Sequence, residues 1–285
     1  MVASGEGDAD GSTKPGPRVP TGVGAGPIDS HCHLADEAFK GDITAVVSRA
    51  RGGGASTALC ILDAGSQDER LRARAVQELW PEVRFAAGVH PQNADAYRAD
   101  PNLAGQAVEK ALAAMPEVCA IGEMGLDYHY DFAKPALQQT VFAAQVRVAR
   151  KVGLPIVVHT READADTIRI IKEAGQGTVR GVFHCFTGDQ ALAAAAVNLG
   201  FYVSFSGILT FPNSNALRQV AAVVPEDRLL IETDSPYLAP PPHRGKRNEP
   251  AYVVHVAEAL AAARRLAPAA LIERTNANFH ALFAR

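Results

Sequence analysis

A chain of 285 residues, 47% of them hydrophobic, can bury one large core. Its formal net charge of -3 excludes a uniformly basic surface that coats nucleic acid, so any polyanion must be bound locally. No run approaches the ~20 consecutive apolar residues of a membrane-spanning helix, which argues against a membrane protein of that kind.

Residues 1–26 are rich in Gly, Pro, Ser and Asp and hold no apolar stretch, so they read as a disordered tail rather than a signal peptide. Residues 27–285 then form a single domain. The four cysteines, Cys32, Cys60, Cys119 and Cys185, make no C-x-x-C pair, and three lie in apolar strand-like runs. They read as reduced, buried thiols of a cytoplasmic protein.

Short β-branched or apolar runs alternate along the chain with amphipathic segments. The first strand is expected at 28–33 and the second at 57–63, followed by a helix at 69–79. A third strand at 83–90 precedes a helix at 102–114, and a fourth at 118–123 precedes a helix at 136–151. The fifth strand, 154–159, leads to a helix at 165–173, and the sixth, 181–186, to a helix at 190–198. The seventh, 201–206, leads to a helix at 216–223, and the eighth, 229–234, to a helical region over 248–285. Gly153, Gly175, Gly200 and Pro225 supply stop signals. Eight βα units with right-handed crossovers predict a (β/α)8 TIM barrel. The rival, a doubly wound open sheet, lacks a glycine fingerprint after its first strand.

Polar residues gather at the C-terminal strand ends, the active-site face of such a barrel: His31 and His33, Asp63, His90, Glu123, His159, His184, Ser206 and Asp234. Alternation along a strand puts His31 and His33 on one face and Cys32 on the other, and the same parity turns Cys185 away from His184. Both thiols are then structural. Imidazoles mixed with carboxylates suit zinc, manganese or cobalt, whereas an all-oxygen set would favour magnesium or calcium. Six candidate ligands exceed the needs of one tetrahedral ion. Two divalent ions sharing Glu123 account for the number, with His31, His33 and Asp234 around one and His159 and His184 around the other.

The same stretches resemble the TatD-type metal-dependent hydrolases, the TatD deoxyribonuclease-like members of the amidohydrolase-related barrels. The resemblance is carried by "DSHCHL" at Asp29, "GVHPQNA" at Gly88, "IGEMGLDYHY" at Ile121, "LPIVVHTREA" at Leu154, "GVFHCFTG" at Gly181, "LLIETDSPYLAP" at Leu229 and "RGKRNEP" at Arg244. These occur in family order over nearly the whole chain beyond the leader. The resemblance implies a TIM barrel, two divalent ions (zinc, manganese, cobalt or magnesium) and phosphodiester hydrolysis, typically as a 3'-to-5' deoxyribonuclease. It also implies the ligand sets His31, His33, Glu123 and Asp234 for one ion and Glu123, His159 and His184 for the other. Glu123 stands where some related barrels carry a carboxylated lysine, which favours this reading over a lactonase-like or dihydroorotase-like one.

The expected chemistry is in-line attack on phosphorus by a hydroxide generated at the two ions, with Glu123 and Asp234 as the catalytic carboxylates and Asp234 also accepting a proton. Glu232 and Asp29 lie two residues before ligands on the same strand faces and are expected to orient ligand histidines from behind. Arg161, Arg244 and Arg247 are candidate phosphate contacts. His90, Tyr128 and His129 are candidates to line the cleft, with the tyrosines of 128–130 offering faces to an unpaired base. DNA is the expected partner; alternatives are another ester, such as aminoacyl-tRNA, a cyclic amide or lactone, or a non-catalytic nucleic-acid-binding scaffold.

Overall fold

The computed structural model describes residues 26–284. The expected disordered tail therefore lies outside the described residues, apart from Gly26.

Eight parallel strands pair in sequence order: β1 (Ile28–Cys32), β2 (Thr57–Asp63), β3 (Arg84–Gly88), β4 (Val118–Asp127), β5 (Ile156–Arg161), β6 (Gly181–Phe183), β7 (Tyr202–Phe205) and β8 (Leu229–Ile231). The first strand meets the segment after the last through the Cys32–Ser235 bridge. There His33 N–H donates to Ser235 O (2.8 Å) and Asp234 N–H to His31 O (2.9 Å). The (β/α)8 expectation holds. Seven helices follow β1 to β7 in turn: α1 (Ile43–Gly52), α2 (Gln67–Leu79), α3 (Leu103–Ala114), α4 (Pro135–Val152), α5 (Asp164–Gly175), α6 (Gln190–Asn198) and α7 (Asn215–Val223). The helical region at the end divides into α8 (Val253–Arg264) and α9 (Pro268–Phe283). Helix α1 was not anticipated; its polar residues outnumber the three it buries, Val46, Val47 and Ala50.

Local chemistry sets these boundaries. Ser66 and Asp189 accept backbone N–H groups at the starts of α2 and α6, which satisfies donors that have no partner within the helix. Pro135 opens α4, and Gly153, at φ 72°, closes it in the left-handed conformation. Strands β1 and β4 are buried along their full length, as a sheet covered on both faces requires.

Two apolar layers result. The larger lies between strands and helices and includes Phe39, Trp80, Phe85 and Phe142. The smaller fills the barrel, with Ile28, Leu59, Ile61, Ala86, Val157 and Leu230, and takes Phe279, Leu282 and Phe283 from α9. Each such buried side chain contributes about 1.5–3 kcal/mol by leaving water. Among the described residues no helix is long and apolar enough to cross a membrane.

The strand ends differ from expectation where the site forms. Strand β4 runs four residues past Glu123, while β6 and β8 stop before His184 and Glu232. Gly125, at φ 146°, lets β4 approach β5 closely, because a Cβ there would collide with the carbonyl of His159.

Candidate metal centre

The six residues expected to form the site converge at the C-terminal mouth of the barrel. Strand β1 delivers His31, which is fully buried, and leads directly into His33. Strands β4 and β5 carry Glu123 and His159, and His184 and Asp234 stand just beyond β6 and β8.

Glu123 occupies the centre, and its two oxygens face different histidines. Oε2 lies 3.5 Å from His31 Nε2 and 3.9 Å from His33 Nε2. Oε1 lies 2.6 Å from His184 Nε2 and 2.9 Å from His159 Nδ1. Asp234 Oδ1 stands on the first side, 3.5 Å from His33 Nε2 and 3.7 Å from His31 Nε2. The side chains therefore group as expected: His31, His33 and Asp234 on one flank of the carboxylate, His159 and His184 on the other. The flanks are in contact, since the His31 and His184 rings stack with centroids 3.8 Å apart.

Ring nitrogens crowd together within each flank, at 3.2 Å between His31 Nε2 and His33 Nε2 and 3.4 Å between His159 Nδ1 and His184 Nε2. Ring nitrogens so placed around carboxylate oxygens fit a shared cation, and three triads of possible ligand atoms each lie within 4.8 Å of one another: His31, His184 and Asp234; His31, His33 and Glu123; His90, Glu123 and His159.

The electrostatics have the same origin. Burial favours the neutral Glu123 carboxyl, yet the charges of His184 and His90 and the hydrogen bonds of His159 and His184 hold its pKa well below the usual carboxylate value. Burial likewise opposes the charge of Asp234, and the hydrogen bond of His33 with the charges of His31 and His184 lowers its pKa. For His33, burial opposes protonation but Asp234 and Glu123 overcome it, raising the pKa to about 9. A cation here competes with protons for these nitrogens.

Behind the centre, Glu232 Oε1 sits 3.3 Å from His184 Nδ1 and accepts the Cys185 N–H at 2.6 Å, the arrangement expected of it. Asp29 behaves differently. Its Oδ1 accepts the backbone N–H groups of His31 (3.3 Å) and Thr233 (2.8 Å), and its Oδ2 accepts the Thr233 hydroxyl (2.5 Å). The register shift between Asp29 and Cys32 breaks the alternation on which the expectation rested, so Asp29 fastens β1 to the end of β8 rather than holding the imidazole. Burial raises its pKa to about 8 against those hydrogen bonds.

The cysteine expectation also divides. Cys32 packs in the layer outside the barrel. Cys185 does not turn away: with β6 ended at Phe183, strand parity no longer applies, and its Sγ lies 3.2 Å from Ser206 Oγ. Burial pushes this thiol's pKa well up, assisted by the negative charges of Asp234 and Glu232, which disfavours the thiolate.

Among the expected substrate contacts, His90 is drawn into the centre itself. Its Nε2 is 3.3 Å from Glu123 Oε1, while its Nδ1 accepts the Gln92 N–H at 3.1 Å. The neutral ring must then carry its proton on Nε2, facing Glu123. Tyr128 is committed elsewhere: its hydroxyl donates to Asp166 (2.9 Å) and accepts from Gln139 (2.7 Å), and its ring packs on the core. His129 is exposed and pairs with Glu162 at 2.7 Å. Arg161 stands over the Tyr130 ring, 5.0 Å from its centroid. Arg244 covers Phe211 at 3.7 Å and has no carboxylate partner among the described residues.

Arg247 requires a correction. It grips both oxygens of Asp42 (2.9 and 2.7 Å), donates to Ala38 O (2.6 Å) and covers Phe39. Arg49 similarly takes both oxygens of Glu249. This part of "RGKRNEP" ties the loop after β8 to α1, and the Arg247 charge is already neutralised. Arg247→Ala is expected to cost about 1 kcal/mol or less of stability, as partly exposed ion pairs do. It should leave the salt dependence of nucleic-acid binding unchanged, as a titration at several ionic strengths would read; a shallower slope would restore it as a phosphate contact.

Three residues were missed. Phe132 and Tyr237 are exposed by 54% and 57%, beside the anticipated Tyr130 at 44%. Tyr237 reaches towards the first flank, its ring 6.1 Å from that of His33, and Tyr130 packs on Phe132 at 5.5 Å. The third is Asp127, on the second flank: its Oδ2 lies 3.3 Å from His159 Nε2. It follows Glu123 by four residues on β4, and that strand read to its full length would have offered it as a candidate.

The model of the family described as TatD related DNase matches residues 28–284. The chain belongs to the TatD family. It is 42% identical over 260 residues to the uncharacterized metal-dependent hydrolase YcfH of Escherichia coli (strain K12), covering 90% of this chain and 95% of that one. It is 35% identical over 261 residues to a protein of Citrobacter rodentium named 3'-5' ssDNA/RNA exonuclease TatD, covering 90% and 97%. The crystal structure of YJJV, a TatD homologue from Escherichia coli K12, superposes with a TM-score of 0.81 at 27% identity, covering 92% of this chain and all of that one. The barrel is therefore that of a TatD-family metal-dependent hydrolase, and its mouth holds His, Glu and Asp groups able to bind metal.

Proposed function

We propose that this TatD-family protein hydrolyses phosphodiester bonds of single-stranded nucleic acid, preferentially DNA, from the 3' end, using two divalent ions for which Glu123 would be a shared ligand. The observation that carries the reading is the division of labour across one carboxylate: Oε2 faces His31 and His33 while Oε1 faces His159 and His184. His31, His33 and Asp234 would hold one ion, His159 and His184 the other.

Two bound divalent ions lower the pKa of water and stabilise both the attacking and the departing oxygen. The chain's own groups do the remainder. Asp234, on the open side of the first flank, is the acceptor of the proton that the attacking water loses. His90, with its Nε2 proton directed at Glu123, holds that carboxylate in place. Exposed Tyr237 beside His33, and Tyr130 beneath Arg161 with Phe132 packed on it, offer ring faces to unpaired bases and suit a frayed or single strand better than an intact duplex. Arg161 and Arg244, which make no ion pair among the described residues, are the phosphate contacts of this reading. The Citrobacter relative's name supports the 3'-to-5' direction. A cytoplasmic location is part of the reading: Cys32, Cys60 and Cys185 are free thiols, which suits a reducing compartment.

The test incubates end-labelled single-stranded DNA, duplex DNA, RNA and aminoacyl-tRNA with the protein under zinc, manganese, cobalt and magnesium, with His184→Ala as control. The expected result is stepwise shortening of single-stranded DNA from its 3' end, lost in the control and after chelation. Release of amino acid from tRNA with no shortening of any strand would overturn the nuclease reading.

A further inference from the structure

Asp127 is buried at the end of β4 and is held rigidly. Its backbone N–H donates to Gln138 Oε1 (2.8 Å), and Gln138 Nε2 donates back to its carbonyl (2.9 Å) and to that of Ala133 (2.8 Å). Its carboxylate is divided between two tasks. Oδ1 accepts the backbone N–H groups of His129 (3.0 Å) and Tyr130 (3.3 Å), at the base of the loop that presents the exposed rings of Tyr130 and Phe132. Oδ2 lies 3.3 Å from His159 Nε2, a buried nitrogen that makes no well-aligned hydrogen bond among the described residues.

An ionised carboxylate only accepts hydrogen bonds. His159 faces such oxygens at both nitrogens, Asp127 at Nε2 and Glu123 Oε1 2.9 Å from Nδ1; were a cation to take Nδ1, Asp127 would hold the remaining proton on Nε2. We propose that Asp127 is a positioning residue that fixes the tautomer of His159 for metal binding and ties that ligand to the aromatic loop expected to meet substrate. The proposal rests on the two-ion reading above and concerns only the second flank. There, Glu232 stands behind His184 in the same relation, whereas on the first flank the carboxylates within 4.0 Å of His31, among the described residues, are the expected ligands Glu123 and Asp234 themselves. Loss of the Asp127 charge should accordingly weaken one ion and spare the other.

Asp127→Asn separates the two tasks. Its Oδ1 can still accept from His129 and Tyr130, but its NH2 group would face His159 Nε2 and favour the opposite tautomer, with the proton on Nδ1 where the ion would bind. Metal-free parent and variant should melt at similar temperatures. In zinc titrations followed by calorimetry, the variant should bind one of two equivalents about 10- to 100-fold more weakly, the usual scale for an outer partner of a ligand histidine, and the other unchanged. Two equivalents bound as in the parent, or both weakened equally, would overturn the proposal. Long-range proton–nitrogen NMR of the zinc-loaded parent gives a readout independent of how the variant folds: the His159 proton should lie on Nε2, and a proton on Nδ1 overturns the assignment. If the parent binds a single ion, the two-ion reading fails, and the NMR result still decides the role of Asp127.

Discussion

Glu123→Gln is expected to reduce hydrolysis by at least about 10²- to 10³-fold, the scale of removing one preorganised electrostatic group from a transition state. Glutamine preserves the volume of a side chain that is 6% exposed, so folding should survive. What disappears is the charge to which both flanks are tuned: its oxygens stand 2.6–3.9 Å from His184, His159, His31 and His33. A neutral amide also presents one oxygen and one NH2 group, so one flank must meet a donor in place of an acceptor. The stabilising effect of metal should fall as well. A ligand that binds only the folded state raises stability by RT ln(1 + [L]/Kd); added zinc should raise the melting temperature of the parent more than that of the variant. Equal rises, with turnover retained, would show that Glu123 does not bind the ions.

Asp234→Asn should lower kcat by about 10²- to 10⁴-fold, the contribution of a positioned proton acceptor. The substitution is well suited to this position. Asp234 has φ 57°, a left-handed conformation that asparagine tolerates far better than most residues. The remaining carbonyl oxygen can still face His31 and His33, whose nitrogens lie 3.7 and 3.5 Å away. Metal content measured beside turnover separates the two roles. Low turnover with two ions retained supports proton acceptance, loss of an ion marks Asp234 as a ligand, and full turnover with both ions bound removes it from the reaction.

The barrel was legible in the sequence because its eight apolar runs are each bounded by turn signals and separated by helical periodicity. The ligand cluster was legible because a parallel barrel brings every strand's C-terminal end to one face. The misreadings have physical causes. Parity holds only within a regular strand, so it failed for Asp29, beside a register shift, and for Cys185, beyond the end of β6. Reading β4 as ending at Glu123 hid Asp127, because polar and glycine residues conceal a strand that is fully buried. The cations were a different difficulty. Arg247 and Arg161 are alike in sequence, and only the fold shows that Asp42 neutralises the first while the second lies over Tyr130. Ion pairs between residues 205 positions apart have no local signature.

Whether Glu123 is shared by two ions can be read by anomalous diffraction from crystals soaked in zinc. Two peaks are expected on opposite sides of the Glu123 carboxylate, one among His31, His33 and Asp234 and the other between His159 and His184. A single peak, or two peaks that do not share Glu123, would contradict this expectation.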